Sequence, residues 1–121
     1  MRFQNATADN AELVILQGKS LQAQLVWGGS TPINVTGFTA RLSVRPSLTH
    51  QGTPTADFTI QNNRVSVGSA DGKFTFTMDA TASAALPAPF TGVYEIEVTQ
   101  PDGVVHRAVS GTATILAEVV K

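Results

Sequence analysis

An alternation of period two, repeated in run after run, restricts this chain more than any other feature. Phe38, Ala40, Leu42 and Val44 alternate with Thr39, Arg41, Ser43 and Arg45. Phe74, Phe76 and Met78 alternate with Thr75 and Thr77. Tyr94, Ile96 and Val98 alternate with Glu95, Glu97 and Thr99. Over residues 21–27, Leu21, Ala23, Leu25 and Trp27 share one phase. Successive side chains of a strand point to opposite faces, so each run reads as a strand with one face in a core. The other face meets water or a partner. Shorter runs at 13–16, 57–60, 64–67, 104–110 and 112–119 extend the series.

Breakers separate these runs. Asp71-Gly72 and Asp102-Gly103 are hairpin signals, because both residue types tolerate positive φ. Asn62-Asn63 is expected to join two short strands in a hairpin, and Gly111 to mark a bulge or a break between two strands. One segment, 79–86, reads as helix. Asp79 is placed to cap it, four alanines favour it, and Pro87 and Pro89 stop it. The expectation is an all-β, immunoglobulin-like antiparallel β-sandwich of about eight or nine strands with one short helix. It forms one domain over 1–121, with residues 1–10 as an extended N-terminal arm.

Composition narrows the function. Charged residues are 14% of the chain, below the usual share of about a quarter, while 42% are hydrophobic, so the chain has a core and is not disordered. Eight basic and nine acidic residues give a net charge of −1, with no surplus to neutralise a phosphate backbone. Nucleic acid is not an expected partner. No run approaches the ~20 apolar residues of a membrane span, and the start lacks the apolar stretch of a signal peptide. With no Cys, thiolate chemistry and Cys-based zinc sites are excluded.

The remaining chemistry is thin. His50 falls in a polar loop and His106 in a strand, without metal-ligand spacing, and both are expected to face solvent or a hydrogen-bond partner. Ser110 lacks a nucleophile elbow, and four residues of strand separate it from His106 by roughly 13 Å. No catalytic residue, metal ligand or cofactor is assigned. Glu95 and Glu97 share the solvated face of one strand, and Arg41 and Arg45 share that of another. The favoured reading pairs these arginines with the two glutamates across the sheet; the other presents them to a partner. Trp27 reads as core or core edge, with a sugar-stacking platform as the alternative. Phe3, the 47–55 loop with His50 and Gln51, and Phe90 in its Pro-rich stretch are further candidate contacts. Phe90 has the alternative of plugging the end of the sandwich.

The order of segments carries a resemblance. Gln17-Gly18, the alternating strand to Trp27, and the run from Val35-Thr36-Gly37-Phe38 to Arg45 come first. The 79–86 segment, Gly92-Val93-Tyr94-Glu95-Ile96-Glu97, and Asp102-Gly103 followed by Arg107, Gly111 and Val119 come after. Together they resemble the small β-sandwich domains of tailed-bacteriophage structural proteins, in particular the N-terminal domain of baseplate upper proteins. The resemblance spans nearly the whole chain through diffuse strand-and-turn signatures. Lys19 stands where such domains often carry Asp, and the larger members continue into a receptor-binding region beyond the point matching Lys121.

The resemblance implies a non-enzymatic virion structural protein, an adaptor of tail or baseplate made in the host bacterial cytoplasm. Its expected partners are other virion proteins or further copies of itself. A capsid decoration protein and a carbohydrate- or host-surface-binding module are the alternatives. The glycan alternative calls for Trp27 or Tyr94 exposed beside Arg41 and Arg45.

Overall fold

The computed structural model describes the backbone of residues 2–3 and, with side chains, residues 12–28 and 31–119. Among the described residues, nine strands form two sheets. In chain order they are β1 (Arg2–Phe3), β2 (Leu13–Leu16), β3 (Leu21–Val26), β4 (Thr39–Arg45), β5 (Ala56–Phe58), β6 (Val65–Val67) and β7 (Lys73–Met78). A short helix α1 (Ala80–Ala84) then leads to β8 (Phe90–Thr99) and β9 (Val105–Leu116). One sheet has the order β1-β3-β7-β6 and the other β2-β9-β8-β4-β5. The chain is an all-β sandwich, and its inner pairings are antiparallel as expected. The edge pairings β1–β3 and β2–β9 are parallel. Of the expected N-terminal arm, residues 1 and 4–10 lie outside the described residues.

The alternation settles which side of each strand is buried. Ala40, Leu42 and Val44 of β4 meet Val98, Ile96 and Tyr94 of β8 in register, and all six are buried. Leu25 and Ala23 of β3 pair with Phe74 and Phe76 of β7 in the facing sheet. Phe58, Leu13, Ile15, Val35 and Ile115 complete the core. A fully buried Phe or Leu contributes about 1.5–3 kcal/mol by leaving water, so this cluster drives the docking of the sheets.

Two sequence expectations need correction. Asn62-Asn63 does not close a hairpin. β5 pairs with β4, and β6 pairs with β7 in the other sheet, so this turn carries the chain between sheets. It is locally self-sufficient. The Thr59 amide donates to Asn62 Oδ1, the Asn62 amide donates to Thr59 Oγ1, and Asn63 takes a φ of 63°. Nor does Gly111 interrupt the last strand, because β9 runs unbroken through it. The irregularity falls earlier. Ile96 pairs with Val109 and Glu97 with Arg107, leaving Ala108 as the extra residue of a bulge. The inward positions of β9 shift there from even to odd numbers, which is why Ala108 and Val109 are both buried.

The expected helix is shorter at both ends. Asp79 caps it through Oδ1, which accepts from the Ala82 amide at 2.8 Å. Buried Ser83 donates from Oγ to the Lys19 carbonyl at 2.8 Å, tying the helix to the turn before β3. The chain then returns to the second sheet through Pro87 and Pro89, and the ring of Phe90 lies over Gly92. A Cβ at Gly92 would also meet the Arg45 carbonyl, so only glycine fits between β4 and that ring.

Candidate functional site

The outer face of the five-stranded sheet carries two adjoining hollows. A hollow of about 520 Å³ opens there, lined by residues of β4, β8 and β9 and by Ser47 and Leu48 of the following loop. Ser43, Ser110 and Thr112 line it with small side chains and Gly111 with none, which leaves the hollow open. A second hollow of about 250 Å³ lies beside it, and Arg41 and Glu97 line both.

Charge on this face is arranged in stripes along the strands. β4 contributes Arg41 and Arg45, β8 contributes Glu95 and Glu97, and β9 contributes Arg107. The register sets Arg41 opposite Glu97 and Ser43 opposite Glu95. The expected pairing between these stripes is not made. β5 lies on the far side of β4 and brings Asp57 opposite Ser43. Arg41 therefore turns to Asp57 with two hydrogen bonds of 2.9 Å, and Ser43 Oγ adds a third to the same carboxylate at 3.0 Å. The bonds to Asp57 push the Arg41 pKa up from its already high value. Burial opposes this, and the charges of Asp57 and Glu97 reinforce it. Arg45 is in register with Val93, not with a glutamate, and donates instead to the Gly52 carbonyl. Its Nη1 also lies 3.3 Å from Nδ1 of His50. Among the described residues, Glu95, Glu97 and Arg107 make no ion pair.

The other expected contacts disperse. Gln51 is exposed in the loop after β4, and His50 is half-buried against Arg45. Phe90 packs against the core, so it plugs the sandwich rather than projecting from it. Of Phe3 only the backbone is described, paired with Leu25, and its side chain lies outside the described residues. Trp27 sits at the core edge, edge-on to Phe74 at 6.4 Å. His106 is neither solvent-facing nor hydrogen-bonded through Nε2. Its ring lies 5.4 Å from that of Trp27, and its Nε2 is buried without a partner among the described residues. His106 is on the inner side of β9 and Ser110 on the outer, so these two side chains do not converge. Tyr94 is 3% exposed, and burial raises its pKa well above the ordinary phenol value. Neither Trp27 nor Tyr94 forms the exposed platform that sugar stacking requires.

Sequence reasoning placed both arginines and both glutamates on outward faces. It missed Asp57, whose only signal was the Ala56-Asp57-Phe58 alternation that makes it an outward residue between two buried ones. It also missed Arg107, because the bulge at Ala108 breaks the alternation that would set Arg107 on one face with Ser110 and Thr112.

No protein-family model and no curated protein matches the chain. Among solved structures of similar fold is the extracellular domain of the voltage-gated sodium channel beta4 subunit, whose parallel homodimers explain its role in cell–cell adhesion. It shares 11% identity with this chain at a TM-score of 0.48, over 93% of this chain and 96% of that one.

Proposed function

We propose that the chain is a non-enzymatic contact module whose working surface is the outer face of the five-stranded sheet. The observation that carries this reading is the ordering of charge on that face. Arg41 is held by a bidentate pair with Asp57 and Arg45 by the Gly52 carbonyl, so two long side chains are already oriented before any partner arrives. Immobilising such a side chain at an interface costs about 0.5–1.5 kcal/mol, and here folding has largely met that cost. Mixed charge around a shallow hollow, with two of its cations held in place, suits another protein surface, where complementary potential sets orientation and register.

The resemblance to the N-terminal domain of baseplate upper proteins extends the reading. It makes the chain a tail- or baseplate-associated adaptor of a bacteriophage or prophage virion, present in several copies. The test is mass spectrometry of purified particles induced from the bacterium that carries the sequence. The chain is expected at a fixed stoichiometry to the tail proteins. Its absence from intact particles would overturn the virion reading. Stoichiometry to the major head protein would instead favour the decoration alternative.

A further inference from the structure

On the contact-module reading, we infer that the partner of the outer face is a second copy of the same chain, docked face to face about a two-fold axis. The charge stripes carry the argument. A cationic stripe, Arg41 and Arg45 on β4, lies directly beside an anionic stripe, Glu95 and Glu97 on β8. Adjacent strands are about 4.8 Å apart. A two-fold axis lying in the face, parallel to the strands and midway between β4 and β8, lays each stripe over its opposite. Register then pairs Glu97 with Arg41 of the second copy, and Arg41 with Glu97 of the second copy. Glu95 falls between Arg41 and Arg45 of the second copy. A patch that complements itself in this way is the requirement for an isologous interface.

Three further observations agree. Glu95 and Glu97 have no cation within ion-pair distance among the described residues, so they are available. Arg107 stands opposite Glu97 on β9, but an exposed cross-strand pair is worth at most about 1 kcal/mol and competes weakly. Leu48 stands at the rim of the hollow with 87% of its surface exposed. The same axis carries it toward the β8–β9 side of the other copy, where Gly111 offers no side chain. The area is adequate. A face of five strands about 20 Å across and about 30 Å tall covers about 600 Å² per copy, near the lower bound of a specific interface. An interface of that size with a wet, charged centre is expected to dissociate in the micromolar range.

The test is sedimentation equilibrium of the full chain up to about 0.5 mM, at low and high salt. A monomer–dimer equilibrium weakened by salt is expected. E97R should weaken it about tenfold or more by setting arginine over arginine. E95R should act in the same direction. R107A, which the same axis sets over β5 of the second copy about two residues from the level of Asp57, should weaken it less than E97R does. The substituted glutamates are exposed, so an unchanged thermal midpoint identifies variants that have kept the fold. A monomer throughout the range overturns the inference, as does a dimer indifferent to both glutamate variants. A monomer that is nevertheless found in particles overturns self-pairing alone, and leaves the contact-module reading with a different partner.

Discussion

Asp57 accepts three side-chain hydrogen bonds, two from Arg41 and one from Ser43. Its main-chain carbonyl accepts from Asn62 and Arg64 as well. The Arg41–Asp57 pair is half open to solvent, which caps its worth. Asp57→Ala should destabilise by about 1 kcal/mol, since exposed pairs give up to that and bidentate geometry sits at the upper end. The readout is a lower denaturant midpoint at unchanged slope. Tyr94 makes a different prediction. Its folded pKa is raised by burial, so the folded state holds the phenolic proton more tightly than the unfolded state does. Stability from this source is complete below about pH 10 and is lost as pH climbs above it, by about 1.4 kcal/mol per unit. Stability measured between neutral and strongly alkaline pH should show that decline, and Tyr94→Phe should flatten it.

At the scale of elements, what was legible followed from period and turn chemistry. β4, β7 and β8 alternate without interruption, and their buried faces are those the pattern assigns. Both Asp-Gly turns close the hairpins β6–β7 and β8–β9, with Gly72 and Gly103 at positive φ. What was not legible depends on pairing partners. Asn62-Asn63 has turn chemistry whether its flanking strands share a sheet or not, so local sequence cannot distinguish a hairpin from a crossing. The bulge at Ala108 is hidden because adjacent Ala108 and Val109 carry no breaker chemistry, whereas Gly111 does. The charge pairing is not legible because Asp57 sits on the short edge strand, where three residues give too little pattern to fix register. The helix is a local feature and invites a local test. Asp79→Ala removes the acceptor for the Ala82 amide and should cost about 1 kcal/mol in a denaturation midpoint.

For the whole molecule, the core joins both sheets through Phe58, Phe74 and Phe76, all fully buried. Phe76→Ala should cost about 3–5 kcal/mol, a large part of the roughly 5–15 kcal/mol that holds a domain of this kind together. Trp27 is the sole tryptophan and touches Phe74 of one sheet and His106 of the other. Its fluorescence therefore reports sheet docking, and far-ultraviolet circular dichroism reports the strands. The two transitions should coincide in the parent chain, as one cooperative unit requires.

The parallel pairing of β2 with β9 has a mechanical consequence. Leu13 through Leu16 run alongside Ala113 through Leu116 in the same direction. Tension arriving at the start of β2 and leaving from the end of β9 slides these strands past one another rather than peeling them apart. The rungs of the ladder are then loaded together, and none yields until all do. Gln17 adds a fastening at the trailing end, donating to the Leu86 carbonyl and accepting from the Glu118 amide. Pulled lengthwise by its own chain, the sandwich resists as a shear clasp, a useful property in any assembly whose work is to stay attached under load.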